Sequence, residues 1–251
     1  MLATFTPDVL TSMSFELAAE AMKAALRAQL NTAPSEPTLA LALAKTALET
    51  GRWQKIHCNN WGNIKASPKY EGMYTCFGCD EIFNGKRTWF DPDTPYDPND
   101  PLALPNPNFA KPTVPPGNPQ TRFRAYANRF DGAYQYVDFV ASGRYVDAWN
   151  ELLQGDAAGY VAALKRKNYF TADETLYAKG VISLQNEMLK RLQGLPVLQR
   201  EIADAELQLI RAAIVRQRFD DVGIVRDEAL LDEGDRPTDP AEPPNNGGNI
   251  V

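Results

Sequence analysis

The chain has 251 residues, 44% of them hydrophobic and 10% aromatic, which is enough apolar material for a packed core and too much for global disorder. Its net charge of −6 is carried at one end: from Asp220 onward there are nine acidic and two basic residues, while the rest of the chain is close to neutral at +1. That body offers no basic surface for a nucleic-acid duplex.

No run approaches the roughly 18–20 apolar residues of a bilayer span, so no membrane span is expected. The opening "MLATFTPDVLTSMSFE" lacks the basic and long apolar regions of a secretory signal. The expectation is a protein made in the cytoplasm without a Sec signal.

In chain order, "SFELAAEAMKAALRAQL" (14–30) has apolar residues at helical spacing behind a Ser14 cap. "NTAPSEPT" breaks that helix, and "SEP" starts a second, with Ser35 as N-cap and Pro37 in its first turn. The second helix is apolar nearly all round, which predicts a core helix, and Gly51 stops it. Glu49 therefore falls in its last turn. From Trp53 to Phe90 the pattern is that of loops and one β-hairpin, "IFNGKRTWF", turning at Asn84-Gly85. Residues 91–120 hold ten prolines, which predicts an irregular insertion, either a surface excursion or a lid or docking arm.

Four successive helices are predicted from "FDGAYQYVDFVAS", "YVDAWNELLQ", "DAAGYVAALKRK" and "DETLYAKGVISLQNEMLKRLQ". Beyond them Leu195, Leu198, Ile202, Ala205 and Leu209 recur at three- and four-residue spacing, predicting a further helix over 195–218 that packs on the body or docks a partner. Residues 219–251 have the composition of an acidic, flexible tail.

Glu49 either caps a surface turn or is held in an apolar cleft. In a cleft the ionised carboxyl is disfavoured, and the group can keep the proton that a general acid needs. "NNWGNIKA" offers the amides of Asn60 and Asn63 and the ring of Trp61 to a sugar, or else Asx-turns and a core tryptophan. Cys76-Phe-Gly-Cys79 has metal-ligand spacing, with His57-Cys58 as possible completion. Adjacent residues do not easily fill two corners of a tetrahedron, so no metal and no cofactor are expected.

Five segments in order, "LALAKTALETGRW", "NNWGNIKA", "CDEIFNGKRTWF", "TRFRAYAN" and "NYFTADETLYAKGV", resemble the bacterial glucosaminidases of glycoside hydrolase family 73 over residues 36–186. The resemblance implies a mainly α, α+β, lysozyme-like fold: a helical lobe and a small β-hairpin lobe flanking a sugar groove, here over residues 1–194. It implies that Glu49 is the catalytic acid and that Glu81, with Asp80 as the alternative, is the second carboxylate. The two carboxyls would be about 6.5–9.5 Å apart for inversion or about 5–5.5 Å for retention. It also places Tyr169 and Tyr177 at the groove, while Tyr126, in "FRAY", reads as a packing residue with its hydroxyl at the cleft edge. A disulfide from Cys58 to Cys76 or, preferred because it directly precedes Asp80-Glu81, to Cys79 would tie the chain leaving the catalytic helix to the hairpin, provided the protein works in an oxidising compartment; the alternative is reduced, packed thiols.

The expected function is endo-β-N-acetylglucosaminidase action on the glycan strands of bacterial peptidoglycan, in the periplasm or outside the cell. A phage lysin or an injected antibacterial effector fits that reading, with a carrier, chaperone or immunity protein engaging the C-terminal helix and tail. The competing expectations are a muramidase or lytic transglycosylase on the same fold, and a non-catalytic component of a phage tail or injection machine.

Overall fold

A computed structural model of the chain describes residues 3–67, 70–83, 86–90, 92 and 119–195. The hairpin turn at 84–85, nearly all of the proline-rich insertion, and the predicted 195–218 helix and tail beyond Leu195 lie outside the described residues.

Helix α2 (Glu36–Glu49) is the axis of the body. Ser35 caps it, its Oγ accepting from the Thr38 N–H at 3.2 Å, and Pro37 occupies its first turn, where no N–H is needed. Every residue from Thr38 to Ala47 is buried, as an all-round apolar helix requires. Helix α6 (Glu174–Gln193) runs against it, and α1 (Phe15–Leu30), capped by Ser14, packs on α3 (Arg129–Ala141). Between α3 and α6 come α4 (Val146–Gln154) and α5 (Ala157–Arg166), so the four helices expected after residue 126 are all present.

The α4–α5 corner is bound to the start of α2. Thr38 Oγ1 donates to the Leu153 carbonyl at 3.0 Å, and Gln185 Nε2 on α6 donates to the Gly155 carbonyl at 2.8 Å. Gly155 has φ +71° and its Cα faces Pro37, so both conformation and space exclude a side chain there.

The β part is small. Strands β1 (Thr4–Phe5), β4 (Met73–Cys76) and β7 (Arg122–Arg124) form a mixed sheet in the order β1-β4-β7, with β1 parallel and β7 antiparallel to β4. Strand β2 (Leu10–Thr11) pairs with β3 (Ile56–His57). The expected hairpin is β5 (Cys79–Phe83) and β6 (Lys86–Phe90), antiparallel from Cys79↔Phe90 to Phe83↔Lys86. The mainly α, α+β class expected from the sequence is what the structure has.

The disulfide expectation is corrected: among the described residues none of Cys58, Cys76 and Cys79 is joined in a disulfide. Cys58 lies under the N-terminal segment, its Sγ accepting from the Val9 N–H at 3.3 Å, whereas Cys79 Sγ accepts from Lys65 Nζ at 3.3 Å and meets the Gln120 carbonyl. Burial pushes the Cys58 thiol up, and that of Cys76 to about 11. His57 pairs through Nδ1 with Asp8 at 2.7 Å and stacks on Phe77 at 3.7 Å, and no three possible ligands converge among the described residues.

Candidate active site

Glu49 closes α2, and the chain reverses immediately after it. Gly51, Arg52 and Trp53 follow one another in the left-handed region, at φ +56°, +57° and +60°. Only the first is glycine, so the turn is strained by about 1–2 kcal/mol at each of the other two. Trp53 holds it in place: the ring is buried, its Nε1 donates to Thr46 Oγ1 at 3.1 Å, and its N–H reaches Thr50 Oγ1 at 3.1 Å. Thr50 Oγ1 in turn donates to the Thr46 carbonyl at 2.7 Å, so the helix end is fixed from both sides.

The setting of Glu49 differs from the purely apolar one expected. Its side chain is 19% exposed, and a fully buried lysine, Lys45, lies one turn earlier with Nζ 2.5 Å from Oε1. The Tyr177 hydroxyl donates to the same Oε1 at 2.5 Å. Among the described residues no hydrogen bond engages Oε2. Burial pushes the Lys45 ammonium below the ordinary lysine range, although the Glu49 charge opposes this. Burial first, and then the Glu49 charge, push Tyr177 and Tyr169 well up, so both hydroxyls stay protonated.

Tyr169 stands on the segment between α5 and α6. Its ring lies 4.3 Å from Lys45 Nζ, and its hydroxyl donates to the Gly62 carbonyl at 3.0 Å. Tyr177 is braced by Phe170, whose ring stacks on it at 4.0 Å and 8°. Gly62 is obligatory here because a Cβ would come within 2.7 Å of the Tyr136 ring and 3.2 Å of the Tyr169 hydroxyl.

The "NNWGN" turn supports the site from behind. Asn63 Nδ2 donates at 2.8 Å to the Glu49 carbonyl, one of the acceptors a helix end leaves without a partner. Asn60 and Trp61, expected to bind substrate, are corrected to structural roles because both are fully buried. The Asn60 amide bonds the Ile64 and Arg124 carbonyls and the Ile64 N–H, all at 2.9 Å, and so closes the turn on itself. Trp61 is core, and so offers no face to a sugar. Tyr126, expected at the groove, is also buried; burial pushes its pKa up, and the neighbouring Arg124 guanidinium opposes this.

Glu81 lies in β5, opposite Thr88 on β6, and Asp80 opposite Trp89. The side chains of residues 80–88 are outside the described set, so the carboxyl separation is too.

Of the expected residues, the structure gathers Glu49, Asn63, Tyr169 and Tyr177 into one cluster. Lys45 is the member that sequence reading missed. Its signal was visible: a single charge four residues before Glu49, within an otherwise apolar run, needs a buried partner at the i+4 position.

The chain is similar to two solved structures. One is a peptidoglycan hydrolase mutant from Sphingomonas sp. A1, at 21% identity and TM-score 0.49, covering 72% of this chain and 99% of that one. The other is a C-terminally truncated glycoside hydrolase domain from Salmonella typhimurium FlgJ, at 18% identity and TM-score 0.40, covering 72% and 98%. No family model matches the chain, and no curated protein does.

Proposed function

We propose that this chain is a peptidoglycan hydrolase that cleaves β-1,4 glycosidic bonds of the glycan strand as an endo-β-N-acetylglucosaminidase. The observation that carries the reading is the tethering of Glu49: Lys45 and Tyr177 both hold Oε1, while Oε2 of a partly exposed carboxyl is left to meet a sugar. That is the geometry of a group which hands a proton to a leaving oxygen from a fixed position. The choice of linkage rests on the resemblance of the five sequence segments.

In this reading Glu49 protonates the glycosidic oxygen. Glu81 on β5 activates water or stabilises the oxocarbenium ion, unless the substrate's own N-acetyl group serves as nucleophile. Tyr169 and Tyr177 line the acid's side of the groove.

The test is Glu49→Gln assayed on purified sacculi. The amide keeps the shape and cannot donate the proton, so hydrolysis falls by at least about tenfold, given that acid catalysis supplies roughly 10²–10⁴-fold. A smaller loss sinks the assignment. Products with reducing N-acetylglucosamine ends are expected. Anhydro-muramic ends indicate a lytic transglycosylase, and reducing muramic ends a muramidase.

A further inference from the structure

The charge of Lys45 has no part in the reaction as written above, yet Lys45 is the one charged residue that is fully buried among the described residues. A lysine with no exposed surface needs both a charge partner and hydrogen bonds. Its Nζ has Glu49 Oε1 at 2.5 Å, the Tyr169 ring at 4.3 Å and the Tyr177 ring at 5.5 Å. A methionine or leucine would fill the same space without a buried charge, so stability alone does not account for it.

We propose that Lys45 is a positioning residue that strengthens the acid: it holds Glu49 by Oε1 and meets the negative charge that forms on Glu49 as the proton leaves. This rests on the reading of Glu49 as the acid. In that step the Oε2–H bond breaks and the proton passes to the glycosidic oxygen. The C1–O bond pair leaves with that oxygen, and the pair from the broken O–H bond stays on Glu49. The new carboxylate then faces the Lys45 ammonium and the Tyr177 hydroxyl, already aimed at Oε1 with nothing to reorganise.

Among the described residues, the other groups facing the pair are neutral. Tyr177 comes from α6, Tyr169 from the segment before it, Tyr160 from α5 and Tyr136 from α3, and burial keeps all four protonated. Helices α1 and α4, also packed on α2, bury only apolar side chains. The Lys45 ammonium is therefore the one positive charge in contact with Glu49 among the described residues.

The consequence is a rate signature. The ammonium meets a charge that forms on Glu49 only as the proton leaves, so it acts on the transition state and not on substrate binding. In Lys45→Met, which conserves volume, kcat should drop by about tenfold or more with KM little changed.

The experiment measures kcat and KM on soluble glycan strands for wild type, Lys45→Met, Lys45→Gln and Glu49→Gln, with thermal melts alongside. Lys45→Gln keeps an N–H donor and loses the charge, so it should lose as much rate as Lys45→Met. A folded Lys45→Met with the wild-type kcat overturns the proposal. So does Lys45→Gln with the wild-type kcat, which would make Lys45 a brace only, and so does failure of both variants to fold. Glu49→Gln as active as wild type is a separate result that removes the acid reading itself.

Discussion

At the scale of single residues, the hydroxyl of Tyr177 is the contact most open to a clean test. Tyr177→Phe keeps the ring stacked on Phe170 and deletes one hydrogen bond to Glu49 Oε1. Hydrogen bonds to charged groups are worth roughly 1.5–3 kcal/mol. The expected result is a rate loss of about 10- to 100-fold on sacculi, with the melting temperature within a few degrees of wild type. A silent substitution would mean that Lys45 alone fixes the carboxyl. At this scale the sequence was legible where chemistry leaves a mark on neighbouring positions. Glu49 stood out as a lone acid ending an apolar helix, and Tyr177 by its place in a familiar segment. Asn60 and Trp61 did not read correctly, because a turn that faces a groove and a turn that builds its wall use the same residue types. Burial decides between them, and burial is a property of the finished fold.

At the scale of elements, the helix ends were the readable part. Ser14 and Ser35 do cap α1 and α2 through their side chains, as their positions ahead of apolar periodicity required. The strands β1, β2 and β3 are two residues each, too short for any alternation to register, and the pairings that define them join positions 45 to 69 residues apart. A prediction at this scale concerns Gly132 near the start of α3. Glycine to alanine within a helix usually stabilises by about 0.5–1 kcal/mol. Here a Cβ would collide with the backbone carbonyl of Asn59 and come within 2.9 Å of the Trp61 ring. Gly132→Ala should therefore reverse the sign and destabilise by about 1–3 kcal/mol, the usual range for overpacking, seen as a lower melting temperature. Because Asn63 carries that turn's position to the Glu49 carbonyl, activity should fall with it.

For the whole molecule, all the residues gathered around Glu49 lie between positions 45 and 177, and α6 ends at Gln193. The acidic end has too little apolar content to add a core of its own. A chain ending at Arg218 should keep the melting temperature of the full protein within a few degrees and hydrolyse sacculi at the same rate. A large drop would show that residues 219–251 are structural.

The tether on Glu49 also bears on how the protein is made. Tyr177 lies 128 residues after the carboxyl it holds. At roughly 5–20 residues per second of synthesis, roughly 6–26 seconds separate the two on a ribosome. During that interval the nascent chain carries its glutamate and lysine on α2 but neither α6 nor the tyrosine that completes the grip. The grip on the proposed acid is thus incomplete until translation is well past the α5–α6 junction, and a prematurely terminated product lacking α6 would hold Glu49 by Lys45 alone.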